Sequence, residues 1–183
     1  QIQHQFAETL AFNQKILDTS PIGIRTFKVS GECISANEAS AAIAGTTVDV
    51  LLGQNFRRIE AWKQSGMLDA AEAALANGTI EQGEFLTVAS SGRDVWLSAV
   101  FSPLETGGER HLLMFLSDIT GRKRVEETLQ ESEIKLRAII ENSVDAIGCS
   151  KKGIQTFMNP AYVSLFGYET SDELLNRPVL DLV

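Results

Sequence analysis

Within its 183 residues the chain almost repeats itself, and a long charged stretch separates the two copies. Ile16-Leu17-Asp18-Thr19-Ser20-Pro21-Ile22-Gly23-Ile24 resembles Ile139-Ile140-Glu141-Asn142-Ser143-Val144-Asp145-Ala146-Ile147 at an offset of 123 residues. Asn37-Glu38-Ala39 answers to Asn159-Pro160-Ala161 and Ile43-Ala44-Gly45 to Leu165-Phe166-Gly167, both at an offset of 122. Leu51-Leu52-Gly53 answers to Leu174-Leu175-Asn176, again at 123. Self-similarity at a fixed spacing marks one structural unit used twice. The second copy stops at Val183, about where the first reaches Glu60, and residue 1 is not Met, so the expectation is a piece of a longer protein.

The stretch between the copies, Asp118 to Ser143, reads as a strand end passing into one long helix. No Pro or Gly interrupts it from Arg122 to Asp145, and Thr120 stands where an N-cap belongs, its hydroxyl able to accept from first-turn amides. Val125, Leu129, Ser132, Leu136, Ile139 and Ser143 recur at steps of four and three, the spacing of a narrow coiled-coil seam. Ser at two of these positions weakens it. Near the N-terminus Phe6, Leu10, Asn13 and Leu17 repeat the pattern, so a helix over residues 1–18 precedes the first unit as the linker helix precedes the second.

Ser20-Pro21 ends the first helix, because Pro disfavours the helical conformation in the residue before it. Gly23 to Val29 and Glu32 to Ala36 read as a hairpin turning at Ser30-Gly31. Asn37 to Ile43 and Gly45 to Leu52 read as short helical segments, and Asp69 to Asn77 as a stronger helix stopped at Gly78. Gly83 to Ala89, Asp94 to Phe101 and Arg110 to Ser117 read as three strands. The turns between them, Ser90-Ser91-Gly92 and Thr106-Gly107-Gly108, suit antiparallel neighbours.

With 44% hydrophobic and 22% charged residues, the chain can bury one good core and part of a second. The net charge of −8 and pI near 4.8 argue against a nucleic-acid surface. The one basic run, Arg122-Lys123-Arg124, is followed by Glu126-Glu127 and reads as a solvated helix face. No apolar run approaches the roughly 20 residues that span a bilayer, and no basic-then-apolar leader opens the chain; a cytoplasmic setting is expected. Cys33 and Cys149, without CxxC spacing, read as reduced core thiols. His4 and His111 have no second ligand at metal spacing. No nucleophile triad or phosphate-cradling glycine pattern is present, and the carboxylate pairs lie on charged helix faces or, as Thr170 with Glu173, in a capping box. The fragment reads as no enzyme.

Several motifs in this order carry a resemblance: Ser20-Pro21-Ile22-Gly23-Ile24, Gly31 to Asn37, Leu51-Leu52-Gly53-Gln54-Asn55-Phe56, Ser91-Gly92-Arg93 before Trp96, Pro103, and Asp118-Ile119-Thr120. The second copy adds Gly153 to Asn159, Phe166-Gly167-Tyr168 and Thr170 to Leu175. Together they resemble the PAS domain, a sensory module of bacterial signalling proteins, and the resemblance implies that a longer parent could carry a histidine kinase or cyclic-dinucleotide output domain absent from these residues. The resemblance implies an α+β fold: a five-stranded antiparallel sheet with short helices on one face, a cavity between them, and long flanking helices. The expected organisation is a helix over 1–18, a PAS domain over 19–120, a linker helix over 121–141, and the N-terminal part of a second PAS domain over 142–183.

What such a cavity holds is left open, but neither haem nor a LOV-type flavin is expected. A haem member would place a His on the helix after Gly66, and residues 69–77 have none. A LOV member needs its Cys in an Asn-Cys-Arg context near that helix, whereas Cys33 is on the second strand. Alternation along strands and family position together give a candidate small-molecule pocket of Ile24, Thr26, Asn37, Ser40, Leu75, Phe85, Thr87, Trp96, Ser98, Met114 and Leu116. Arg25 stands out as a charge in an apolar strand, either facing solvent or pairing with a carboxylate ligand. The functional expectation is a sensory, homodimerising module. Asp118, Ile119 and Thr120 would relay the signal, and Val125, Leu129, Leu136 and Ile139 would form the dimer seam. The alternative is a ligand-free protein–protein adaptor.

Overall fold

The structure is a computed structural model that describes residues 2–182; the side chains of residues 2–4, 6, 7, 181 and 182 are outside the described set, and with them His4 and Phe6. The chain divides into two compact units, residues 1–123 and 124–183.

The first unit opens with helix α1 (Ile2–Thr19) and the hairpin β1 (Gly23–Lys28) and β2 (Cys33–Ala36). Short helices α2 (Glu38–Ala44) and α3 (Val48–Leu52), a 3-10 turn at Phe56–Arg58, α4 (Glu60–Ser65) and α5 (Met67–Asn77) follow. Strands β3 (Glu81–Val88), β4 (Asp94–Thr106) and β5 (Glu109–Asp118) complete an antiparallel sheet of order β2-β1-β5-β4-β3. The 3-10 turn and α4 escape the sequence reading because segments of three to six residues are too short to display a helical period. β4 and β5 run to a two-residue turn at Gly107-Gly108, where φ of 60° and 80° asks for glycine at both positions.

Cross-strand register fixes which side chains share a face. Arg25 pairs with Met114, Met114 with Phe101, Leu116 with Ala99, Leu97 with Phe85 and Val95 with Thr87. With Phe27 and Leu112, these form the inner face of the sheet, against which α4 and α5 pack Trp62, Met67, Ala71, Ala74 and Leu75. Small residues on α5 let the helix approach, and an aromatic lattice fills the rest. Phe27 meets Phe56 at 5.4 Å and Trp62 at 5.7 Å, and Trp62 meets Phe101 at 5.9 Å. Each such side chain, taken from water, contributes about 1.5–3 kcal/mol.

Helix α6 (Thr120–Glu141) begins in the first unit and ends in the second. The second unit continues with the hairpin β6 (Gly148–Lys151) and β7 (Ile154–Met158), helix α7 (Pro160–Leu165) and two 3-10 turns. Its small core is Met158, Val163 and Leu174. Its local geometry reproduces that of β1–α2 residue by residue. Arg25↔Ala36 and Thr26↔Ser35, followed by a bulge, match Gly148↔Met158 and Cys149↔Phe157, followed by a bulge.

The two asparagines make the same hydrogen-bond cage. Asn37 Oδ1 accepts from the amides of Ile24 (2.8 Å) and Ser40 (3.0 Å), and its Nδ2 donates to the carbonyls of Leu17 and Ile22 (both 2.9 Å). Asn159 Oδ1 accepts from Ile147 (2.9 Å) and Tyr162 (3.0 Å), and its Nδ2 donates to Ile140 (3.0 Å) and Asp145 (2.8 Å). Each asparagine caps a helix and locks the hairpin that precedes it, so the two stretches share one local structure. The Thr170–Glu173 capping box is also formed. Of the two free thiols, Cys33 is buried as expected, whereas Cys149 is exposed, because no residue of β6 is covered in this two-stranded sheet.

Candidate functional site

Among the described residues, the inner face of the sheet carries one buried charge. On β1 the residues turned toward the helices are Gly23, Arg25 and Phe27, so Arg25 is 4% exposed rather than solvated. Its Nε donates to Ser40 Oγ at 2.8 Å and its Nη1 to Gln54 Oε1 at 3.5 Å. Both partners are neutral, and no carboxylate among the described residues forms an ion pair with it. Desolvation by burial pulls its pKa well below the usual guanidinium range, to about 10, with the charge of an ionised Cys33 opposing. Burial in turn pushes the Cys33 thiol up, so it is protonated at neutral pH and supplies no counter-charge. An uncompensated buried cation is costly, because the ion leaves water without an opposite charge to replace the hydration.

Arg25 borders a cavity of about 70 Å³ between the sheet and the helices, whose walls include Gln54, Ile59, Trp62, Met67, Thr87, Leu97, Met114 and Leu116. Of the residues expected at a pocket, Thr87, Met114 and Leu116 line this cavity and Ser40 holds the Arg25 side chain. Leu75 and Phe85 belong to the core beside it. Asn37 and Ile24 border a separate crevice next to α1. Ile24, Thr26, Trp96 and Ser98 fall on the outer face of the sheet, because their cross-strand partners are Phe115, Leu113, Leu86 and Glu84. Treating Arg25 as solvent-facing inverts the parity of β1, since a strand alternates with period two. On β4 the inward set is Val95, Leu97, Ala99 and Phe101, an unbroken apolar alternation that was available in the sequence. Gln54, Ile59, Trp62 and Met67 sit on turns and short helices where no period exposes them.

The second feature is the start of α6. The Trp96 amide donates to Thr120 Oγ1 at 2.9 Å, and the Ile119 amide donates to the Trp96 carbonyl at 2.8 Å. Asp118 Oδ1 accepts from the Thr120 amide at 2.8 Å. Thr120 is therefore the first helical residue and not the cap, its hydroxyl being engaged by β4. The basic run is more than a solvated face. Arg122 reaches Glu84 Oε1 at 2.6 Å, Lys123 reaches Glu84 Oε2 at 2.7 Å, and the Lys123 ammonium lies 5.0 Å from the Trp96 ring centroid. Beyond this junction α6 has no buried residue, and Val125, Leu129, Leu136 and Ile139 are all exposed. His111 is buried on β5, its ring Nδ1 3.2 Å from the Glu109 carbonyl. Among the described residues no cluster of three or more His, Cys, Asp or Glu could hold a metal ion, and no helix is long and apolar enough to cross a membrane.

The sequence pattern of the PAS fold matches residues 17–124, more than half of the chain. The chain belongs to the PAS fold family. Among characterised proteins, sporulation kinase A of Bacillus subtilis (strain 168) is 32% identical over 90 residues, which is 49% of this chain and 15% of the kinase. Solved PAS domains have the same fold. One from Colwellia psychrerythraea superposes with a TM-score of 0.54 at 19% identity, covering 62% of this chain and 98% of that domain. A PAS domain from a two-component sensor histidine kinase gives 0.52 at 15% identity, covering 64% of this chain and 99% of that domain. In PAS terms, the cavity lies between sheet and helices, and the Asp118-Ile119-Thr120 junction closes the domain on its exit helix.

Proposed function

We propose that this chain is the sensory and dimerising part of a multidomain signal-transduction protein. A small molecule or partner bound at the first unit shifts the sheet, the Asp118-Ile119-Thr120 junction follows, and α6 carries the displacement onward. The observation that carries this reading is the bond pair between Trp96 on β4 and residues 119 and 120. It couples the strand bordering the cavity directly to the first turn of a helix 22 residues long. A stiff helix transmits rotation, and an uncovered seam at Val125, Leu129, Leu136 and Ile139 offers a surface for the same helix of a second copy. The likeness to a sporulation kinase supports the signalling context; since this chain spans 15% of that protein, the kinase activity is not carried over. The repeated Asn cage supports reading residues 142–183 as the start of a second PAS domain that receives the signal.

Inserting one residue between Glu127 and Gln130 in the full-length protein tests this. The insertion rotates everything downstream by about 100° and is expected to lock or abolish output. Normal signalling by that variant would overturn the relay. In sedimentation, Leu136→Asp is expected to shift the chain toward monomer, and an unchanged dimer fraction would remove the seam.

A further inference from the structure

We infer that the cavity of the first unit is a receptor site for a short-chain monocarboxylate, its carboxylate paired with Arg25 and its alkyl part held against Met67, Met114 and Leu116.

The argument starts from what Arg25 lacks. It is 4% exposed, yet its polar contacts are the neutral oxygens of Ser40 and Gln54. These use two of the five N–H donors of the guanidinium fork, a group whose geometry matches a carboxylate. The side chain borders the cavity, so an anion entering there meets the fork directly. Buried charges in folded proteins are ordinarily paired, and no described residue supplies the partner here.

The second copy of the motif shows that the fold itself does not require this arginine. Strand register equates Arg25 with Gly148, and the helix-capping bonds of the two asparagines equate Ser40 with Tyr162. Where the first copy has an arginine held by a serine, the second has a glycine whose missing Cβ is replaced by the Tyr162 ring; a Cβ there would stand 2.6 Å from Cε2. One scaffold is thus filled in two ways, by an aromatic ring that closes the space and by a cation that leaves space beside it. The charge is a specialisation of the first unit.

Size and polarity set the ligand class. A water needs about 10–15 Å³ of such space, so a cavity of about 70 Å³ admits only a few heavy atoms. Apart from Arg25, Gln54, Thr87 and Ser90 the lining side chains are apolar, which favours a short alkyl group over a second charge. Lowering of the Arg25 pKa by desolvation is in keeping with a cation whose counter-charge is missing when the site is empty.

This assignment deepens the sensor reading, but the binding itself is measured without it. The purified 183-residue chain would be titrated with sodium acetate, propionate, butyrate and hexanoate at constant ionic strength, followed by thermal unfolding and calorimetry. Propionamide, butylamine and inorganic phosphate serve as controls. Propionate or butyrate is expected to raise the melting temperature saturably, with hexanoate weaker and the amide and amine inert. Arg25→Met is expected to melt higher than the parent without ligand and to lose the carboxylate-induced shift. Arg25→Lys, which keeps the charge but not the fork, is expected to retain a reduced shift should the Met variant fail to fold. Equal stabilisation by the amide, an undiminished shift in either variant, or no shift with any carboxylate would overturn the assignment. Phosphate acting as well as propionate would overturn the alkyl part. Carboxylate binding alongside normal output from the α6 insertion would sink only the relay, and an insertion effect without carboxylate binding would sink only this inference.

Discussion

The Thr120 hydroxyl accepts a hydrogen bond from the Trp96 amide at 2.9 Å, so the first residue of the exit helix completes the backbone pairing of a central strand. Thr120→Val keeps the shape and removes the acceptor, leaving a half-buried amide unpaired. Such a loss costs about 1–3 kcal/mol. The variant is expected to show a lower urea midpoint with an unchanged m-value, and Thr120→Ser to restore it. A wild-type midpoint in Thr120→Val would mean that the junction is held by the Glu84 ion pairs instead.

Those ion pairs have a pH signature. Hydrogen bonds first from Lys123 and then from Arg122 hold the Glu84 carboxyl below its ordinary value of 4.5. A carboxylate with a depressed folded pKa contributes stability that is present above its unfolded pKa and lost as pH falls through the folded one. The stability difference between the protein and Glu84→Gln is therefore expected to be level above about pH 5 and to shrink at lower pH. Because the group is exposed, the difference is small and falls with added salt. Chemical denaturation from pH 3 to 7 at two salt concentrations checks it; a difference that ignores pH would exclude the ion pairs as its source.

How much of this was legible in the sequence depends on how each signal is encoded. The five strands, the hairpin turns, α5 and the long linker helix announce themselves through period and punctuation, and the PAS motifs supplied their order. For Arg25 the sequence leaves two readings open, solvent or a carboxylate partner, because a charge in a strand is usually solvated. Placing Ile24 and Thr26 at the pocket takes the wrong parity of β1, and placing Trp96 and Ser98 there takes the wrong parity of β4. The clasp of Arg122 and Lys123 on Glu84 spans 38 residues of sequence, and no local pattern encodes a contact between a strand and a helix so far apart. Gln54 and Trp62 reach the cavity from segments too short for periodicity. The likeness of the two stretches was legible, but the exchange of arginine for glycine and of serine for tyrosine emerges only when register aligns their hairpins.

The asparagine cage predicts two local failures. Asn37→Ala strands the amides of Ile24 and Ser40 and removes one donor each from the carbonyls of Leu17 and Ile22, which keep their bonds from Ser20. Water will reach some of them, so the loss is expected to be about 3 kcal/mol rather than the sum of four bonds. Asn159→Ala is expected to raise amide exchange in β6 and β7 while leaving β4 and β5 protected, since the two cores are separate clusters. Exchange that rises equally in both units would show that they unfold as one.

The Gly148–Tyr162 contact allows the idea of two fillings of one scaffold to be tested without any ligand. Gly148→Ala places a methyl against the Tyr162 ring, with ring carbons at 2.6 to 3.0 Å from the new atom. Overpacking of this kind costs about 1–3 kcal/mol. Tyr162→Leu removes the far side of the ring and the hydroxyl to which Gln155 donates at 2.7 Å, so alone it is also destabilising. Combined, the two changes should be less damaging than their sum, because the methyl then enters space that the ring has vacated. A double-mutant cycle on the intact chain, read by amide exchange in β6 and β7, is expected to give a favourable coupling of about 1 kcal/mol or more. Simple additivity would mean that Gly148 is retained for backbone reasons. The reciprocal pairing of position and ring, on which the comparison with Arg25 and Ser40 depends, would then lose its energetic basis.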